Sequence, residues 1–292
     1  MSAKKWTNNT CVVLLGVTVL LLIAFPAIII FIGDKHASPP HPRYVCAWIV
    51  AMALLLLFCV VCGKGISGLA TAVLIDDRNV MSLSRIQMLI WTLLFLSGFI
   101  VAALINMHAA STAADPTAAI TIPPNLVILM GISTTSLVAS PLILSTKKDQ
   151  TPAPSELQAM QLELNQQTGV SNDGKVATNT SPSDARWSDL FTGEEVGNAA
   201  NVDLSRVQMF FFTVIVAAVY AVMLGHQLLL LKATFTSFPD LDPTLLSLIA
   251  ISHGGYLTAK ALPHTKSADA SGADATQGDK GAPIDPAANA VG

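Results

Sequence analysis

Charge is what this chain has least of. Only 12% of its 292 residues are Asp, Glu, Lys or Arg, against about 25% in a soluble domain. So few charges cannot cover a water-facing surface, which excludes an ordinary soluble domain. The formal net charge of -3 leaves no basic footprint, so no nucleic-acid partner is expected. Cysteine is scarce too: Cys11, Cys46, Cys59 and Cys62 are the whole set. Cys11, Cys59 and Cys62 fall near the expected inner surface, where a reducing compartment disfavours disulfides. Those three could hold a soft metal, but structural zinc takes four ligands and no fourth is evident. Neither a metal nor a cofactor is therefore expected. A Walker loop, G-x-S-x-G, H-E-x-x-H and a dinucleotide fingerprint are all missing. No charged pair is expected in mid-span, which weakens a membrane hydrolase or an ion-coupled transporter.

Long apolar runs are abundant. Six are long enough to cross a bilayer as helices: Cys11–Ile32, Val45–Cys62, Ile86–Met107, Asn125–Leu144, Val207–Leu231 and Leu245–Leu262. A spanning helix needs about 20 such residues, and lipid offers no partners for an open backbone. The reading is an all-α integral membrane protein with about six transmembrane helices arranged as three hairpins. The first run exceeds a signal-peptide core and reads as an uncleaved anchor, kinked at Pro26. With the N-terminus inside, only Lys35, Arg43 and Lys232 fall in outer loops. The positive-inside bias then places both termini in the cytoplasm.

A duplication runs from Leu83 onward. "LSRIQM" begins at Leu83 and "LSRVQM" at Leu204; "PNLVILMGIS" from Pro124 pairs with "PTLLSLIAIS" from Pro243. Each unit is one hairpin, and both start on the same side. The last two hairpins thus form a parallel internal repeat, related by an axis along the membrane normal. Ser82 and Asp203 are the expected N-caps, and Pro124 and Pro243 suit a first helical turn. The divisions are an N-terminal hairpin over 1–62, a connector and first repeat hairpin over 63–145, a cytoplasmic linker over 146–202, a second repeat hairpin over 203–262, and a solvated tail over 263–292.

"MSLSRIQMLIWTLL", followed by "RWSDLFTGEEVGNAANVDLSRVQMFFFTVIVAAVYAVMLG", resembles a group of bacterial polytopic membrane proteins built from tandem LSRxQM hairpins. The resemblance covers most of Asp76–Lys260. It implies a bacterial inner (plasma) membrane and no particular activity.

Several polar residues stand out against this background. Arg85 and Arg206 sit in first helical turns, where a cation opposes the helix dipole. Each either meets lipid phosphate or pairs upstream, Arg85 with Asp76 or Asp77 and Arg206 with Glu194 or Glu195. Gln87 and Gln208 are placed to hydrogen-bond between the units. Ser133, Thr134, Thr135 and Ser136 match Ser252 and His253 in depth, and form either a polar path or a close-packing seam. Ser145–Asp184 is polar and reads as a mostly disordered linker, with a short helix over Ser155–Gln166. Trp187, Leu190 and Phe191 share one side of a short segment that lies on the inner leaflet or docks on the protein's own helices. His36, His41, His108 and His226 match no ligand motif.

The functional expectation is a non-enzymatic scaffold or anchor. Its partners would be membrane lipids, a cytoplasmic protein or another copy of the chain in a homo-oligomer. The alternative is a small channel or permease whose path is lined by the second helices of the repeat.

Overall fold

The computed structural model describes residues 8–34, 38–109, 120–164, 169–232 and 234–268. His36 and the tail beyond Ala268 lie outside the described residues. Helices dominate: α1 (Asn8–Phe31), α2 (Pro42–Ser67), α3 (Leu83–Ala109), α4 (Pro124–Lys148), α5 (Pro154–Leu164), α6 (Leu204–Leu229) and α7 (Pro243–Ala261). Five of them, α1, α2, α3, α4 and α6, are long and apolar enough to cross a membrane. The helix at the sixth expected run, α7, has 19 residues, roughly 28 Å at 1.5 Å per residue. Ser252, His253, Gly254, Gly255, Thr258 and Lys260 dilute its hydropathy, so length alone recommends it as a span.

The packing follows from which faces are apolar. α1 is apolar all round and leaves Val12, Leu20, Ile23 and Ile28 exposed, as a helix surrounded by hydrocarbon does. It packs on α2, which leans on α3. α3, α4, α7 and α6 form a closed square, each helix touching the next. Its apolar heart includes Trp91, Leu94, Val101, Leu129, Val216, Tyr220 and Leu224. Gly98 is where α3 and α6 approach, since a Cβ there would lie 2.9 Å from Leu224 Cδ2.

At one end of the square, residues 120–123 and 234–242 join across it. Asn106 exchanges both amide bonds with the Phe235 backbone, at 3.0 and 2.7 Å. Thr121 bonds Thr236 and Phe238, and Phe235, Phe238 and Leu241 are buried beneath them.

The other end carries a folded cap, where composition pointed to a disordered linker. Its parts are α5 and an antiparallel hairpin, β1 (Val170–Asp173) with β2 (Val176–Asn179). Met160, Ala177, Val196 and Ala199 make a small core of their own. The difference has a physical reason. The segment has few large apolar residues, so its order comes from backbone bonding to its surroundings. β2 reaches two loops at once: Asn179 N–H donates to Arg78 O, Ala177 N–H to Glu194 O, and Val196 N–H to Lys175 O. Asn79 and Asn179 also exchange side-chain bonds to each other's carbonyls, both at 2.9 Å. The first residues of the expected tail join the cap as well, through Ala153 N–H to Lys266 O and Ala268 N–H to Thr151 O.

Each of the two loops closes on itself just before a long helix. Ser82 N–H donates to Leu74 O and Asp203 N–H to Phe191 O, both 2.8 Å. Bridges join Ile75 to Met81 and Thr192 to Val202. A 3-10 turn precedes each loop, at Ala72–Leu74 and at Trp187–Leu190, and each loop carries paired carboxylates, Asp76-Asp77 and Glu194-Glu195.

Candidate functional site

A buried ion cluster sits where the cap meets the square. Its centre is Glu194, delivered by the second loop. Glu194 meets Lys260 Nζ at 2.5 Å, Arg78 at 2.7 Å and Arg206 at 3.5 Å. Arg78 also grips Asp76 at 2.8 Å. Next to it, Lys147 Nζ meets Glu195 at 2.6 Å and donates to the Lys260 and Leu262 carbonyls, closing the end of α7. Burial alone would push the Glu194 carboxyl up; Lys260, Arg78 and Arg206 outweigh it and hold it far below the usual carboxylate range. Burial likewise opposes the Arg78 charge, and Glu194 and Asp76 restore it. Removing one member of such a set strands the others without water or counter-charge.

From this cluster a polar seam climbs between α4 and α7. Lys260 donates to the hydroxyls of Ser140 and, at 2.8 Å, Tyr256. One turn further, Ser136 Oγ lies 2.6 Å from His253 Nδ1. Beyond them, Ser133 Oγ, Ser252 Oγ and His253 Nε2 are buried with no partner among the described residues. Thr134 and Thr135 do not join the seam. Both are exposed, and their hydroxyls turn back to the Met130 and Gly131 carbonyls of their own helix. Four consecutive helical residues cannot share one face, so the expected path keeps only Ser133 and Ser136 from α4.

The repeated hexamer behaves differently in its two copies. Arg206 is 1% exposed, donates to Thr192 O at 2.7 Å and reaches Glu194, the pairing anticipated for it. Asp203 accepts from Ser205 N–H and Arg206 N–H, capping α6. Arg85 makes no ion pair with Asp76 or Asp77, because Arg78 takes the first and Lys148 the second at 3.2 Å. Ser82 makes no side-chain cap among the described residues. Gln87 does cross between helices, donating to Thr213 Oγ1 at 2.5 Å; the Gln208 side chain is exposed and makes no hydrogen bond among the described residues. Ser82, Ser84 and Arg85 instead line a cleft of about 440 Å³ between α3 and α4.

The Trp187 segment forms a 3-10 turn rather than a longer helix. Leu190 is buried with Met81, Leu83, Met209 and Tyr256, and Phe191 stacks edge-on against Phe210 at 5.2 Å. Trp187 itself stays 58% exposed. Asp189 ties this turn to the first loop, accepting from Arg186 and Met81 N–H; burial nevertheless pushes its carboxyl up. The four cysteines are free, and no group of three or more metal-ligating side chains gathers among the described residues.

Sequence reasoning named Glu194 and Glu195 but missed Arg78, Lys147 and Lys260. A signal was present. Ser133, Ser136, Ser140 and Lys147 follow one helical stripe, as do His253, Tyr256 and Lys260, so each lysine continues a polar face already under suspicion. Comparison with protein-family models, with curated proteins and with solved structures found no match to the chain.

Proposed function

We propose that this is a non-enzymatic polytopic protein of a bacterial inner membrane. In this reading it is a scaffold whose folded cap is presented to a cytoplasmic partner or to a second copy. α7 is taken as a sixth span, the positive-inside bias puts cap and termini in the cytoplasm, and the two hexamer hairpins descend from one duplicated unit. The matched loop closures at Leu74–Ser82 and Phe191–Asp203 support the duplication and extend it upstream of the hexamers. The cluster around Glu194 carries the scaffold reading. Charges that deeply bonded fix the cap on the square in one orientation, which a presenting surface needs and a merely tethered linker lacks.

A channel is the second reading, favoured by the unpartnered Ser133, Ser252 and His253 atoms of the seam. Against it stand the two ends of the square: an aromatic seal of Phe235 and Phe238 at one, the ion cluster at the other. Two measurements separate the readings. A photo-crosslinking residue at Trp187 or Leu162, both exposed, should yield discrete adducts in cells that disappear with Glu194→Gln. Purified protein in sealed liposomes should pass no ions above empty liposomes, with or without His253→Ala. Flux that responds to His253→Ala, with no adducts, would replace the scaffold by the channel.

A further inference from the structure

We infer that the cleft between α3 and α4 is a binding site for one phospholipid with a zwitterionic, ethanolamine-type headgroup. Three observations meet there. First, two polar residues at the start of this hexamer are left without partners. Arg85 has no ion pair or side-chain hydrogen bond among the described residues, and Ser84 Oγ is buried, 1% exposed and unpartnered. Their counterparts Arg206 and Ser205 are both bonded within the protein. In the first copy both unpartnered residues, Ser84 and Arg85, line the cleft.

Second, the cleft carries both signs of charge. Arg85 and the Ser84 hydroxyl stand at the N-terminal turn of α3, a 27-residue helix whose Ser82 supplies no side-chain cap. That combination receives a phosphate: a guanidinium, a hydroxyl and a helix N-terminus. Asp76 and Asp77 line the same cleft. Asp76 is saturated by Arg78, but the Asp77 side chain is 62% exposed, and its one ion pair among the described residues is with Lys148. A purely anionic headgroup would meet these carboxylates unfavourably. A primary ammonium one short linker away from the phosphate can donate to Asp77. The cleft also reaches Ser140, whose hydroxyl is already taken by Lys260.

Third, the rest of the wall is apolar and runs along the helices. Met88, Leu89, Leu137, Pro141 and Leu144, with Val73 and one further hydroxyl residue, Thr92, complete the lining. Pro141 has no N–H for the Leu137 carbonyl, so the hydrogen-bond ladder of α4 lacks one bond at this level. An amphiphile with its head at the cap and a chain toward mid-square matches that order. A volume of about 440 Å³ accommodates a headgroup and the start of one chain, the remainder lying in the surrounding hydrocarbon.

This site rests on the membrane setting proposed above but not on the scaffold role. The test uses the full chain in nanodiscs containing phosphatidylethanolamine, phosphatidylglycerol and phosphatidylcholine in equal amounts, with native mass spectrometry after release. Retained lipid should be mainly phosphatidylethanolamine. Arg85→Gln should lower its retention roughly ten-fold, the loss of one charge-assisted contact. Asp77→Asn should abolish the preference over phosphatidylcholine. Thr92→Trp, which fills the cleft without touching the charges, should displace the lipid and decides the matter if Arg85→Gln fails to fold. Retention unchanged by Arg85→Gln and Thr92→Trp, or a preference for phosphatidylglycerol, would overturn the assignment. Failure of the chain to enter nanodiscs would instead remove the membrane setting itself.

Discussion

The two LSRxQM doorsteps start from nearly the same residues and end in different chemistry. At the second, Asp203 caps the helix, Ser205 bonds the cap, and Arg206 is locked onto Thr192 O and Glu194. At the first, Ser82, Ser84 and Arg85 face a cleft. The cause lies in the loops, not in the hexamers. Loop two is longer and folds Glu194 inward over the square, where it gathers Arg206, Arg78 and Lys260. Loop one brings its own arginine, Arg78, which takes Asp76 and leaves Arg85 over. One copy became a fastening, while the other kept Ser84 and Arg85 free. A motif's role here is set by what its neighbours consume.

The largest expected effect comes from the shared hub. Glu194→Gln leaves Arg78, Arg206 and Lys260 buried without their common counter-charge and should cost about 3–5 kcal/mol. Thermal unfolding in detergent would register it, and limited proteolysis should cut first within the cap.

The doorsteps themselves separate next. Arg206→Gln should cost about 1.5–3 kcal/mol, as bonds to a charged group do. Arg85→Gln, in delipidated protein, should stay within about 0.5 kcal/mol. Equal losses in the two variants would erase the contrast.

Acid should act through the same hub. The folded-state value of Glu194 lies below its unfolded value, so its contribution is fully present above about pH 4.3, the ordinary carboxylate value. It is lost as pH falls through the folded value. Cap stability should therefore be flat from neutrality down to about pH 5 and decline below that, and Glu194→Gln should flatten the decline. Proteolysis rates across pH provide the readout.

The smallest contrast lies one turn up. Gln87→Leu removes the bond to Thr213 and should cost about 0.6 kcal/mol, the average for a hydrogen bond between membrane helices. Gln208→Leu, at an exposed position, should cost close to nothing. Denaturant midpoints of the two variants in one detergent would compare them.

Much of the square was legible because long apolar runs leave the backbone few choices: every expected run overlaps a helix, and both return helices start at the anticipated prolines. Arg206 with Glu194 or Glu195 was legible as one of two alternatives, beside lipid phosphate, because a cation in a first turn asks for compensation. The cap was not legible. Its order rests on backbone bonds from Ala177, Asn179 and Val196 to segments distant in the chain, and such bonds leave no mark on composition. For Arg85 the ion pair with Asp76 or Asp77 is the alternative that fails, for a related reason. Proximity in sequence put Asp76 and Asp77 within its reach, and only the fold shows that Arg78 and Lys148 reach them first.

Hydrogen exchange of the full chain in nanodiscs tests the fixed cap most directly. The account predicts slow exchange at Ala177, Asn179 and Val196, comparable with the inner turns of α3 and α6, and sharply faster exchange at those amides in Glu194→Gln. Rapid exchange at all three in the unaltered protein would mean a solvated linker, and the rigid presenting surface would be lost with it.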